Sequence, residues 1–216
     1  IIVDTPGLRR KNKVLEKNEL ARNIEVIKLM KNVEVIILLI DSSENITKQD
    51  FRLADLSISN NKILFFLLNK IDTIEDKKQF KLKLNKYLKN NYSKYKLINL
   101  EFISAKKNIK LNDVLDKIIH KKNLLSIKIE KHKLNKFINY LKKKSSFPKV
   151  NKIEIKPKYI VQLDFKLPKF KVFINSQKKT PKIFEKYFDN AFRSYFKLDG
   201  IPIIYNFVSS KNPFVN

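Results

Sequence analysis

The sequence predicts an α/β fold built on a parallel sheet and followed by a small α+β module, and three observations carry the prediction. In the run ILFFLLN from Ile63 to Asn69, six consecutive apolar residues stand between Asn61-Lys62 and Asn69. They read as a strand buried on both faces, as central strands of parallel sheets are. Short apolar runs alternate with helical periodicity through the first 120 residues, the pattern of strand–helix–strand units. After residue 120 that alternation stops, and Lys and Arg outnumber Asp and Glu far more heavily than before it.

Taken in order, the first part reads as strand 1–4, helix 19–31, strand 33–40, helix 48–59, strand 63–68, helix 76–89, strand 97–103 and helix 111–120. Phe80, Leu84 and Leu88 mark the inner face of the third helix; Leu111, Val114, Leu115 and Ile118 form the core-facing stripe of the fourth. Residues 121–126 read as a linker, giving a division into 1–121, 122–128 and 129–216. The second part reads as helix 129–144, with Ile129, Leu134, Phe137, Ile138 and Leu141 on one side. Strands follow around 152–155, 159–165 and 170–174, then helix 181–195 with Thr180 as cap and Pro181 in first position, and strand 203–207. Phe137, Phe184, Phe188, Phe192 and Phe196 fall at helical spacings and are expected in the core.

Composition excludes several chemistries. With Cys 0 there are no disulfides, thiolate zinc sites or cysteine nucleophiles, which is consistent with a reducing cytoplasm. No apolar run approaches the roughly 18 residues of a membrane span, so a cytoplasmic, monomeric protein without a membrane partner is expected. His120 and His132 have no second ligand at metal spacing. The net charge of +26 suits a nucleic-acid partner. An AT-rich coding bias also enriches Lys, but its uneven distribution favours a basic C-terminal part.

The polar residues that matter stand at strand ends, where ligands of open α/β sheets bind. Asn69, Lys70, Ile71 and Asp72 form N-K-x-D. A carboxylate there accepts from guanine N1–H and its amine, an amide donates to N7, and a lysine stem lies along the purine. The chain opens with a strand running into Asp4, Thr5, Pro6 and Gly7, a D-x-x-G sequence; Asp41 ends the next strand; Ser104, Ala105 and Lys106 follow the last. Gly7 is the only glycine of this half. Asn45 stands where a glycine turn is expected and is the next-best residue for positive φ.

This order resembles the third, fourth and fifth motifs of a translation-factor-like GTPase, and thus a P-loop-NTPase-like sheet. Residues 4–11 (DTPGLRRK), 38–50, NKID and SAK, with the Arg9, Arg10, Lys11 run after D-x-x-G, are similar to the second GTPase domain of the Der (EngA) family. Those are bacterial tandem GTPases of large-ribosomal-subunit assembly. The resemblance implies GTP/GDP and Mg²⁺ as ligands, with Asp4 reaching the metal through water and the Gly7 N–H meeting the γ-phosphate. It implies that the backbone of Ser104, Ala105 and Lys106 closes over guanine O6, and that Arg9, Arg10 and Lys11 belong to switch II. Asn108 and Lys110 stand where the family has glycines.

Leu8 replaces the water-orienting glutamine of Ras-like enzymes, so the resemblance implies a slow switch and leaves the catalytic group unknown. No G-x-x-x-x-G-K-[ST] occurs. The chain therefore reads as a C-terminal portion lacking its P-loop part and an upstream first GTPase domain, and is expected to be inactive alone. Tyr159, Gln162, Pro168, Phe170, Phe173, Asn175, residues 200–203 and residues 212–214 match the family's KH-like C-terminal domain in order and spacing. The GXXG clamp of RNA-gripping KH domains is absent; residues 142–144 and 178–179 are the candidate phosphate contacts. The expected function is a GTP-binding and GTP-hydrolysing switch acting on the ribosome through rRNA. The competing reading is a non-catalytic rRNA- or protein-binding element with a decayed G domain. An Era-type GTPase–KH protein fits less well, given Arg9 to Lys11 and the missing GXXG.

Overall fold

The computed structural model describes Val3, Met30 and residues 32–144, 147–150, 153–176 and 180–209. The D-x-x-G segment, residues 8–11, residues 178–179 and the tail 212–214 lie outside the described residues, as do the first expected strand except for Val3 and the first expected helix except for Met30.

The first unit is a three-stranded parallel sheet in the order β1 (Val35–Asp41), β2 (Ile63–Asn69), β3 (Ile98–Phe102). Helix α1 (Lys48–Ser59) joins β1 to β2, α2 (Lys77–Asn91) joins β2 to β3, and α3 (Leu111–Asn123) follows. The central strand is buried on both faces as the sequence predicts. Leu64, Phe66 and Leu68 enter one apolar cluster with Ala54, Leu84 and Leu88; Ile63, Phe65 and Leu67 enter another with Leu111, Val114 and Ile118. At about 1.5–3 kcal/mol per buried large apolar side chain, β2 ties both layers together.

Local chemistry fixes the boundaries. Thr47 and Asp50 form a reciprocal capping box at the start of α1, with Asp50 N donating to Thr47 Oγ1 at 3.2 Å and Thr47 N donating to Asp50 Oδ2 at 2.8 Å. Asp76 caps α2 by accepting from Gln79 N at 2.8 Å. Helix α3 runs past the expected end at residue 120 and continues as a 3₁₀ turn, Leu124–Ser126, so the connection between the two parts is helical. Leu115, expected in the core-facing stripe, is exposed, because the buried face of α3 is narrower and centres on Val114.

The second unit contains α4 (Lys131–Lys143), a short antiparallel pair β4 (Lys149–Val150) and β5 (Ile153–Glu154), β6 (Pro157–Asp164), β7 (Lys169–Ile174), α5 (Lys182–Phe196) and β8 (Ile204–Ser209). Strand β7 is central, antiparallel to β6 and parallel to β8. Phe137, Phe184, Phe188 and Phe192 are buried, and Phe196 packs against them, as their spacing predicts. Pro181, not Thr180, occupies the cap position of α5, and no side chain caps it. Gln162 fastens the entry to α4: its Oε1 accepts from Ile129 N at 2.9 Å and its Nε2 donates to Ile127 O at 2.7 Å.

The two units share one apolar cluster, in which Ile63, Phe65 and Leu67 lie with the phenylalanines of α4 and α5. A polar latch accompanies it. Gly200 N donates to Lys96 O at 2.9 Å, and Asn99 Nδ2 donates to Leu64 O and Gly200 O at 3.0 and 3.2 Å. Gly200 has φ +74°, a conformation that favours glycine, and a Cβ there would push aside the Asn99 side chain that makes the latch.

Candidate functional site

Three chain segments meet at the C-terminal rim of the parallel sheet. Register sets Asp41, the last residue of β1, opposite Asn69, the last of β2, and Ser42 N donates to Asn69 O at 2.8 Å. Ile103 N donates to Leu68 O and Ile71 N to Ile103 O, so the N-K-x-D turn is stitched to the end of β3. Beyond it, Ser104 and Ile109 exchange backbone hydrogen bonds at 3.3 and 2.9 Å, closing the S-A-K loop. Asn108 and Lys110 adopt left-handed φ of 52° and 61°. These are the two positions where the family resemblance placed glycines, so the backbone path is kept at some conformational cost. Asn45 is not among the described residues with positive φ. The β1–α1 turn is instead built by Asp41, which accepts from Ser43 N at 3.0 Å and Ser43 Oγ at 2.7 Å.

Asn69 links the two loops directly. Its Oδ1 accepts from Ala105 N at 2.9 Å, which fixes the amide so that the NH₂ end remains to donate to a ligand acceptor. Lys70 adopts φ +64°, a left-handed conformation costly for a lysine, held here by its neighbours. Its Nζ lies 2.6 Å from Asp41 Oδ2. That ammonium, with the Ser43 N–H and hydroxyl, lowers the Asp41 carboxyl to about 2. Asp41, Asn69 and Lys70 line a cleft of about 810 Å³ together with Thr47, Lys48 and Arg52 of the adjoining turn and helix.

Asp72 is the most informative member. Its side chain is 11% exposed, and its Oδ2 is 4.0 Å from Lys107 Nζ. The Ser104 hydroxyl, more than the lysines, holds its carboxyl below the ordinary range, so it is ionised at neutral pH. Its Oδ1 is buried and meets no hydrogen-bond donor within the described residues. A buried, ionised, unpaired carboxylate oxygen costs free energy unless a ligand donor completes it.

Sequence reasoning placed Asn69, Lys70, Asp72 and Ser104 to Lys106 on one rim, and they are together. It assigned no role to Lys107 beside Asp72 and no pairing to Asp41. Strand-end alignment of Asp41 with Asn69 was the available signal for the latter. No group of three or more His, Asp or Glu side chains among the described residues could hold a metal ion. The implied Mg²⁺ contact of Asp4 lies outside them.

Comparison with known proteins fits this arrangement. Residues 22–123 match the family described as elongation factor Tu GTP binding domain, and residues 128–207 match the KH-domain-like C-terminal domain of EngA bacterial GTPase enzymes. A protein named GTPase Der from Rickettsia bellii is 30% identical over 218 residues, and one from Rickettsia prowazekii is 28% identical over 222. The chain is similar to the Der (EngA) family along its length. Each alignment covers 99% of the chain and 48% of the Der relative, so the chain spans about half the length of those relatives. Among solved structures, Aquifex aeolicus Era bound to GDP and AlF₄⁻ aligns over 95% of this chain and 74% of its own, at 16% identity and a TM-score of 0.44. No described helix is long and apolar enough to cross a membrane.

The Asp41–Lys70 pair has a pH signature. Because the folded carboxyl titrates at about 2 and its ordinary value is 3.8, the stabilisation is complete well above pH 4 and is lost as pH falls towards 2. Asp41→Asn should lower the melting temperature by about 1–3 °C at pH 7, the scale of a partly exposed pair. In melting curves taken from pH 7 to pH 2 the difference between variant and wild type should close at the acid end. A difference independent of pH would separate Asp41 from the effect.

Proposed function

We propose that this chain is the guanine-recognising and KH-like part of a GTP-binding, GTP-hydrolysing switch that acts on the large ribosomal subunit during its assembly. The observation that carries the reading is the buried Asp72 Oδ1 without a donor, beside an Asn69 amide locked by Ala105 N. Guanine offers two adjacent donors, N1–H and the 2-amine, to a carboxylate and an acceptor, N7, to an amide. Adenine has an acceptor at N1 and would meet Asp72 with repulsion. Lys70 supplies the apolar stem for one purine face, and the Lys106 N–H is the one of the Ser104–Lys106 loop left for O6, since Ser104 N donates to Ile109 O and Ala105 N to Asn69 Oδ1.

Hydrolysis draws on residues outside the described set. Asp4 would hold Mg²⁺ through water, Gly7 would approach the γ-phosphate, and Arg9, Arg10 and Lys11 would form switch II. A magnesium ion would neutralise charge on the phosphates. Leu8 cannot hydrogen-bond water, so the polar group that orients the nucleophile comes from elsewhere and the unassisted rate is low. The basic C-terminal part, with Lys142, Lys143 and Lys144 exposed at the end of α4, would meet rRNA phosphates.

The reading is tested by NMR titration of the chain with GDP and with ADP. Affinity is expected to be weak, so the ratio is the readout. GDP should shift the Ala105 and Lys107 amides at a concentration at least about a hundredfold below ADP, the discrimination expected when a buried charged hydrogen-bonding pair is mismatched. Equal responses to the two nucleotides would remove the guanine assignment and leave the non-catalytic reading.

A further inference from the structure

Asp41 ends β1 directly opposite Asn69, so the register of the sheet sets its carboxylate beside the N-K-x-D turn. Both of its oxygens are engaged. Oδ1 accepts from Ser43 N at 3.0 Å and from Ser43 Oγ at 2.7 Å, and Oδ2 lies 2.6 Å from Lys70 Nζ. Two donors from the β1–α1 turn therefore orient the carboxylate and leave its second oxygen to the ammonium. With neither oxygen free to read a base, what Asp41 contributes to a ligand passes through Lys70.

Lys70 needs such a partner. Its side chain is 58% exposed, and an unpaired lysine on that rim would move among many rotamers, so that laying its stem against a purine would cost all of that freedom. The ion pair fixes the far end of the side chain, and the left-handed backbone at φ +64° fixes the near end. Both anchors stand on the C-terminal rim of the sheet, so the four-carbon stem between them lies along it. Among the carboxylates around the ammonium, Asp41 acts on it more strongly than Glu44 or Asp72. Such an exposed pair adds little to the stability of the fold. Its consequence is for binding, because a side chain already held in its bound arrangement loses no further freedom when the ligand arrives.

We infer that Asp41 is a positioning residue for the purine: by holding the Lys70 ammonium at the end of β1, it lays the lysine stem out as a preformed surface for one face of the base. The inference rests on the guanine reading of N-K-x-D for where the base lies. It asks only that a purine face meets Lys70, which GDP and ADP both offer.

The test is a double-mutant cycle on the 216-residue chain, followed by NMR titration with GDP at the Ala105 and Lys107 amides. Salt of about 0.15 M screens long-range effects of the altered charges on the phosphates. Asp41→Asn should weaken GDP binding about two- to tenfold, the range for one long side chain released from order. Lys70→Met keeps an unbranched apolar stem and removes the ammonium, so it should weaken binding by a similar factor. Adding Asp41→Asn to Lys70→Met should change the affinity by less than about 1.5-fold, because the contact through which Asp41 acts has gone. A merely structural role for Asp41 would give the same loss in both backgrounds. Asp41→Glu keeps the charge and should bind GDP more tightly than Asp41→Asn. Amide shifts away from the rim should match wild type in every variant, which separates loss of contact from loss of fold. Unchanged GDP affinity in Asp41→Asn, or an equal loss with and without Lys70→Met, would overturn the inference. The wild-type GDP-to-ADP ratio tests the guanine reading by itself: equal affinities would remove that reading, while the cycle, read on GDP alone, would still decide the role of Asp41. A wild-type chain that responds to neither nucleotide would overturn both.

Discussion

Asp72→Asn is expected to exchange the base preference of the site from guanine to xanthine. The carboxylate accepts from two guanine donors; an amide accepts from one and presents its own N–H₂ to the other, which is a donor–donor clash. Charge-assisted hydrogen bonds contribute about 1.5–3 kcal/mol each, so loss of both should lower the response to GDP on the order of a hundredfold or more. Xanthine carries a carbonyl where guanine has its amine, and that oxygen accepts from the new amide. Xanthosine diphosphate should therefore shift the Ala105 amide of the variant at concentrations where GDP no longer does. The fold should tolerate the change, because Asp72 Oδ1 has no partner to lose among the described residues and Ser104 still approaches the other oxygen. A variant that keeps its guanine preference would mean that Asp72 does not touch the base.

What the sequence disclosed here, and what it withheld, follows from how far each signal reaches. Strand ends were legible because an apolar run stopped by a polar residue needs no tertiary information: Asn69 closes β2 where ILFFLL ends. The left-handed turns at Asn108 and Lys110 followed from a family position with glycine, since the backbone path outlives the residue that first allowed it. Asn45 failed the same argument because a second solution existed: the Asp41 side chain satisfies the turn and leaves no need for positive φ. Leu115 failed because periodicity defines a stripe but not its width. Gln162 and Arg193 were opaque for a different reason, as their partners are set by chain segments that meet only in the fold. The same holds for Lys107, which comes to Asp72 through the loop closed by Ser104 and Ile109.

Arg193 is expected to be the most costly single side chain to remove from the second unit. It sits on α5 with its side chain 4% exposed, and its Nε donates to both Asp189 oxygens, one turn earlier, at 2.7 and 2.8 Å. One terminal nitrogen donates to Leu198 O at 3.1 Å and also to Ile201 O. Those carbonyls belong to the loop after α5, which turns through left-handed Lys197 and delivers Gly200 to Lys96 and Asn99 of the first unit. A single guanidinium thus fills the polar requirement of a buried loop, a role that its planar fork suits and an ammonium does not. Arg193→Met keeps most of the volume but strands the buried Ile201 carbonyl, leaves Leu198 O with the Ile201 N–H alone and removes the partner of the half-buried Asp189 carboxylate, so a loss of about 2–4 kcal/mol is expected in urea denaturation. Arg193→Lys should recover only part of it. Amide exchange should then distinguish a local from a global effect: the Gly200 and Leu198 N–H groups should lose protection before the β2 amides do, because the loop they hold is released first. A loss below about 1 kcal/mol would show that the loop keeps its path without the arginine, and that the packing of Leu198 and Ile201 alone holds the two units together.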